Sequence, residues 1–170
     1  PALADVTSRL QIRLASSRPQ APEAGEIKAS DYSLDFARRA ILPMFPLSVA
    51  IGDYDGDGHP DVYVVEPGGR NHLLHNNGKG SFADVTGKAG VAGEGRGVSA
   101  VFADYDNSGH PSLLVAGLGG VTVYHNRGDG TFSNETAKAG ITAGPGELDT
   151  KIIAFDSDND GFLDIVTTAY

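Results

Sequence analysis

An all-β fold assembled from four-stranded antiparallel sheets is what this sequence predicts, and three observations carry the expectation. The chain repeats itself at a period of about 50 residues. Each repeat contains short runs of β-branched and aromatic residues with the alternation of strands rather than the spacing of helices. Between those runs, 23 glycines and nine prolines in 170 residues supply the punctuation of many tight turns.

The repeat is legible residue by residue. Ser48-Val-Ala-Ile-Gly-Asp-Tyr-Asp-Gly-Asp-Gly-His-Pro-Asp61 aligns with Ser99-Ala-Val-Phe-Ala-Asp-Tyr-Asp-Asn-Ser-Gly-His-Pro-Ser112, and again with Ile153-Ala-Phe-Asp-Ser-Asp-Asn-Asp-Gly-Phe-Leu-Asp164. A second block, His75-Asn-Asn-Gly-Lys-Gly-Ser-Phe-Ala-Asp-Val-Thr-Gly-Lys-Ala-Gly90, returns as His125-Asn-Arg-Gly-Asp-Gly-Thr-Phe-Ser-Asn-Glu-Thr-Ala-Lys-Ala-Gly140. Self-similarity at this period marks a stack of supersecondary units that cannot bury both faces alone.

In the first complete copy the strand signals fall at about 48–53, 61–66, 72–76 and 81–86. The Asp-rich loop joins the first two, and Asn76-Asn-Gly-Lys-Gly80 is hairpin chemistry between the third and fourth. Four antiparallel strands in some 50 residues make a propeller blade. The expected organisation is an outermost strand of a preceding blade at 1–12, where Ala4-Asp-Val-Thr7 resembles Ala83-Asp-Val-Thr86, and an insertion at 13–46. Within that insertion 15–29 reads as loop and 31–41 as extended or briefly helical. Complete blades are expected at 47–96 and 97–147, and the first half of a further blade at 148–170. That is about two complete blades with partial blades at both ends, an incomplete ring.

Composition narrows function. The net charge of −9 opposes a nucleic-acid surface, which needs clustered cations. The longest apolar stretch, broken by Pro43 and Pro46, is far short of the ~20 residues of a membrane span. Absence of cysteine removes disulfides, thiolate metal sites and a cysteine nucleophile. The chain opens on Pro1 with no basic-then-apolar leader, as expected of a processed or excised piece from which any export signal has been removed. Ten of the 22 acidic residues crowd into three loops: Asp53, Asp55, Asp57, Asp61, Asp104, Asp106, Asp156, Asp158, Asp160 and Asp164. Taking those ten from 22 leaves 12 acids against 13 basic residues, close to neutral. Like charges packed this way cost stability unless a cation sits among them.

The spacing Asp-x-Asp-x-Asp-Gly-x-x-Asp names the ion. Oxygens at positions 1, 3 and 5 converge where the glycine at 6 turns the chain, and a carbonyl at 7 with a carboxylate at 9 completes a shell of hard oxygens suited to Ca²⁺. Loop one supplies Asp53, Asp55, Asp57, the carbonyl of His59 and Asp61. Loop three supplies Asp156, Asp158, Asp160, the carbonyl of Phe162 and Asp164. Loop two keeps Asp104 and Asp106 but has Ser108 at position 5, His110 at 7 and Ser112 at 9, so weak or vestigial binding is expected there. An EF-hand is excluded, since it requires a glutamate at position 12 between helices, and here that position is Val64 or Thr167 in strand-like runs. His59, His110, His75 and His125 recur at equivalent positions and read as repeat architecture. Tyr54 and Tyr105 read as packing residues, and Asn134-Glu-Thr136 is a glycosylation sequon by pattern.

The run Gly52-Asp-Tyr-Asp-Gly-Asp-Gly-His-Pro-Asp61, the closing Phe-x-Asp-Val-Thr and the 50-residue period resemble the FG-GAP/VCBS repeat family, the blades of integrin-α-type β-propellers. The resemblance covers roughly 46–170 and the first few residues. It implies calcium in the loops and an exported adhesion, recognition or scaffold module, whose partner is another protein or a glycan at the cell surface. Two further readings stand beside it: a subunit assembling with further copies of itself, and a polysaccharide-active enzyme domain. No Gly-x-Ser-x-Gly nucleophile motif supports the last.

Overall fold

The computed structural model describes residues 42–141 and 147–169. The strand expected at 1–12, and the loop and extended segments expected at 15–29 and 31–41, lie outside these residues. A 3-10 turn at Leu42–Met44 precedes ten strands. They are β1 (Ser48–Gly52), β2 (Asp61–Val65), β3 (His72–Asn76), β4 (Phe82–Asp84), β5 (Gly97–Ala103), β6 (Ser112–Gly117), β7 (Gly120–Asn126), β8 (Phe132–Asn134), β9 (Asp149–Phe155) and β10 (Asp164–Ala169). One-turn helices α1 (Thr86–Ala89) and α2 (Thr136–Ala139) come after β4 and β8.

The sheets are two four-stranded antiparallel blades, β1-β2-β3-β4 and β5-β6-β7-β8, and the antiparallel pair β9-β10. This is the all-β blade architecture that the repeat predicts. Register ties each Asp-rich loop to its blade: the loops spring from the paired positions Gly52↔Asp61, Ala103↔Ser112 and Phe155↔Asp164. The last residue before each loop therefore faces the loop's ninth residue across the sheet.

The fourth strand is shorter than its sequence signal. The run expected as strand to residue 86 stops at Asp84, because Thr86 turns the chain: its hydroxyl accepts the Leu73 amide at 2.8 Å, where a strand would have offered a carbonyl. Thr86–Ala89 then winds one helical turn and ends at Gly90, whose φ of 79° is the left-handed conformation favoured by glycine. The second blade repeats the device, with Thr136 Oγ1 accepting the Val123 amide and Gly140 closing α2.

The blades bury their faces against one another. Ala50, Tyr63, Val65 and Leu73 of the first blade pack on Ala100, Leu113, Val115 and Tyr124 of the second. On the second blade's other face, Ala103, Leu114, Ala116, Val121 and Val123 receive Ile152, with Ala154 and Ile165 partly buried alongside. At about 25 cal/mol per Å² of apolar surface, this face-to-face burial dominates the stability of a fold whose strands are three to seven residues long. Its main polar element is also satisfied: buried Asn71 donates to Tyr63 Oη at 2.9 Å, and Tyr63 Oη donates to the Val91 carbonyl at 2.7 Å. Among the described residues no helix is long and apolar enough to cross a membrane.

Candidate metal centre

Loop one is organised around Asp53. Its Oδ1 accepts the amides of Gly56 (2.8 Å) and Asp57 (3.1 Å), and its Oδ2 accepts that of Gly58 (2.8 Å). The wrap is possible because Gly56 and Gly58 both adopt positive φ, 76° and 85°. Asp57 in turn accepts the His59 amide at 2.8 Å. At the far end Asp61 is fully buried, Oδ2 accepting from Tyr54 N (3.2 Å) and Oδ1 from Asn76 N (2.8 Å). Burial raises the Asp61 carboxyl above the usual aspartate value despite those two hydrogen bonds.

Carboxylate oxygens of Asp53, Asp55 and Asp61 lie within 4.8 Å of one another. A second group, sharing Asp55, joins Asp57 and His75 at the same spacing. His75 Nδ1 stands 3.2 Å from both Asp55 Oδ2 and Asp61 Oδ1. It is buried without hydrogen-bond geometry to either, so these contacts are too oblique to count as bonds. Among the described residues His75 is the one basic side chain at ion-pair distance from these carboxylates.

Loop three reproduces the wrap in outline. Asp156 accepts the amides of Asp160 (3.1 Å) and Gly161 (2.9 Å), and Asp160 accepts that of Phe162 (2.8 Å). Asp164 accepts from Ser157 N at 3.0 Å and from the Ser157 hydroxyl, which hold its carboxyl below the usual range. Oxygens of Asp156, Asp158 and Asp164 converge within 4.8 Å. Unlike Asp61, Asp164 is exposed.

Loop two keeps the turn and lacks the cluster. Asp104 accepts the amides of Ser108 and Gly109, both at 2.9 Å. Ser112, in the place of Asp61, is buried and takes the Asn126 amide at 3.0 Å, the bond Asp61 makes with Asn76. Burial would raise the Asp106 carboxyl, but hydrogen bonds from Ser108 prevail and lower it. Among the described residues this loop holds no group of three acidic or histidine ligand atoms at that spacing.

The structure thus brings together Asp53, Asp55 and Asp61 in one loop and Asp156, Asp158 and Asp164 in another, with Asp57 beside His75 and Asp160 outside its loop's trio. The trios are hard-oxygen donor sets whose mutual repulsion a divalent cation would relieve, so the residues fit Ca²⁺. His75 and His125, read from sequence as architecture, prove to touch loop carboxylates, Nδ1 of His125 standing 3.4 Å from Asp106 Oδ2. Their identical place in both repeats was the available signal. His59 and His110 lie so close over Gly78 and Gly128 that a β-carbon there would come within 2.2 and 2.8 Å of the rings. Tyr54 is buried against Phe132, ring centroids 5.8 Å apart, and its hydroxyl is pushed up to about 12 by burial and then by Asp55, Asp61 and Asp57.

One further concavity lies between the first two blades, a cleft of about 550 Å³ whose polar lining includes Asn71, Glu94, Arg96, Thr122, Tyr124 and Asn134.

No curated protein matches the chain. Among solved structures, a lectin of Agrocybe aegerita, described by its specific recognition of non-reducing terminal N-acetylglucosamine, is similar at 23% identity with a TM-score of 0.47; the match covers 78% of this chain and 35% of that one. The chain therefore spans about a third of that lectin's length. A family model described as an FG-GAP-like repeat matches residues 53–115 and again 104–167, each match opening on the first aspartate of a loop. With most of its length accounted for by these two matches, the chain belongs to the FG-GAP-like repeat family.

Proposed function

We propose that this chain is a calcium-stabilised, non-enzymatic β-propeller module that acts outside the cell as a binding, adhesion or scaffold unit. The observation that carries the reading is the convergence of three carboxylates within 4.8 Å in each of two loops, at positions where the fold already holds the backbone in shape. Asp53, Asp55, Asp57 and Asp61, with the carbonyl of His59, would hold one ion; Asp156, Asp158, Asp160 and Asp164, with the carbonyl of Phe162, the other. Bound there, calcium cancels the repulsion of the loop that joins two strands of a blade, and its binding free energy becomes folding free energy.

Most of these carboxylates are exposed. Open sites of that kind fit the affinities of extracellular modules, roughly 10⁻⁴–10⁻³ M, which calcium outside cells fills. The partner is a protein or glycan at the cell surface, and the polar cleft between the first two blades is the concave surface available to meet it. Catalysis finds little support, because the clustered carboxylates are engaged by backbone amides of their own loops.

The test is a calcium titration by calorimetry of chelator-treated protein, with melting curves in calcium and in EDTA. Two ions per chain are expected. A site filled at about a hundred times its dissociation constant adds roughly 2.7 kcal/mol, which at ~2–4 °C per kcal/mol lowers the melting temperature in EDTA by several degrees. Superimposable melting curves would overturn the proposal.

A further inference from the structure

An asparagine closes the third strand of both blades, Asn76 in β3 and Asn126 in β7. The amide of Asn76 donates to Asp61 Oδ1 at 2.8 Å, its Nδ2 donates to the Pro60 carbonyl at 3.0 Å, and its Oδ1 accepts the Gly78 amide at 3.1 Å. Asn126 repeats all three bonds, with Ser112 Oγ (3.0 Å), the Pro111 carbonyl (2.9 Å) and the Gly128 amide (3.0 Å). This set ties the Asp-rich loop of a blade to the hairpin of the same blade.

Asn126 makes a further bond that leaves its own blade. Its Nδ2 also donates to the Tyr54 carbonyl at 2.7 Å, 72 residues away in loop one of the first blade. Asn126 is 2% exposed, so water does not compete for that bond, and both hydrogens of its amide group are used. Tyr54 is the second residue of loop one, between the cluster members Asp53 and Asp55. Its amide donates to Asp61 Oδ2 at 3.2 Å within the loop, while its carbonyl is held by Asn126 and its ring lies on Phe132, both from the second blade. Loop three is built otherwise: its second residue is Ser157, whose amide and hydroxyl both turn back to Asp164 of the same loop.

We infer that Asn126 is a positioning residue for calcium in loop one, supplied by the neighbouring blade; the inference rests on the calcium reading of that loop. The bond from Nδ2 fixes the peptide unit that joins Tyr54 to Asp55, and Asp55 is the residue whose carboxylate meets those of Asp53 and Asp61. A donor set held in place beforehand need not be ordered by the ion, and its affinity is higher by the ordering cost avoided. The coupling is reciprocal. Calcium in loop one strengthens the seam between the first two blades by as much as the seam strengthens calcium binding. Loop one is thereby a clamp between blades as well as a tie within one, whereas the second residue of loop three serves its own loop.

Calorimetric titration with calcium chloride reads each loop separately in two backgrounds. Asp156→Asn with Asp158→Asn silences loop three, and Asp53→Asn with Asp55→Asn silences loop one. With loop three silenced, Asn126→Ser should weaken calcium binding about three- to tenfold, the worth of one buried hydrogen bond. With loop one silenced, the same substitution should leave the affinity unchanged. Phe132→Leu keeps Asn126 and loosens the Tyr54 ring instead, so it should act in the same direction and on loop one alone; it decides by the same criterion if Asn126→Ser does not fold. Calcium in loop one should also slow hydrogen exchange at the Asn126 and Gly128 amides, across the seam in the second blade. An asparagine that only braced its own blade would lower stability without splitting the two affinities. A wild type that takes up no calcium overturns the calcium reading and this inference together. Two ions bound by the wild type, with equal or no loss at the two loops in the variants or with no slowing across the seam, overturns this inference alone.

Discussion

Phe102 packs so tightly against Gly52 that a β-carbon on the glycine would lie 2.9 Å from the phenylalanine's Cβ, Cγ and Cδ2. Gly52 ends β1 and pairs with Asp61, the buried ninth residue of loop one. The contact therefore fixes, at one point, the seam between two blades and the frame of a metal loop. Gly52→Ala should destabilise the protein by about 1–3 kcal/mol through overpacking, read as a lower urea midpoint with an unchanged slope. Phe102→Leu in the same background should recover part of the loss.

Asp61 and Ser112 occupy the same place in consecutive blades and accept the same backbone amide, from Asn76 and Asn126 respectively. The serine shows that a neutral acceptor suffices for the fold. Asp61→Ser keeps an acceptor for the Asn76 amide and gives up the one for Tyr54, so in EDTA it should cost less stability than Asp61→Ala while abolishing the calcium response of loop one. Asp61→Ala, which strands the buried Tyr54 amide and the half-buried Asn76 amide together, should cost about 1–3 kcal/mol even without calcium.

Loop two has the wrapped backbone of its neighbours and lacks only donors. The double substitution Ser108→Asp with Ser112→Asp should raise the calorimetric stoichiometry from two calcium ions per chain to three. In EDTA the same variant should be less stable than the wild type, because it adds two carboxylates without a cation to offset them.

Asp84 accepts from the Thr86 amide and hydroxyl and stands 2.9 Å from His72 Nδ1. Burial works to raise its carboxyl, but those bonds outweigh it and lower the pKa from 3.8 to about 2. A depressed carboxylate contributes stability that is complete above the unfolded value and lost as pH falls through the folded one. Asp84→Asn should therefore flatten the part of the stability curve between pH 3.8 and about 2, measured by urea unfolding across that range. The second blade supplies the control, since Asn134 already holds this position and accepts the same two bonds from Thr136.

The repeat made much of this readable in advance. Hairpin glycines, alternating apolar runs and the Asp spacing placed β1, β2 and β3 within a residue of where they lie. The fourth strand was overrun because Thr86 looks β-branched in sequence, whereas in the fold its hydroxyl replaces a backbone acceptor and starts a helical turn. The positive φ at position 4 of the loops was written in Gly56, Asn107 and Asn159, residues that tolerate the left-handed region.

By itself the sequence determined the unit: four short strands, their turns and the donors in each loop, because all of these arise from backbone preference and spacing over a few residues. Only the tertiary structure decided that Asp61 is buried while Asp164 is exposed, and that His75 lies against two loop carboxylates. Those properties belong to strands and loops that packing brings together within a blade and between blades, and burial is a property of what packs against a residue rather than of the residue.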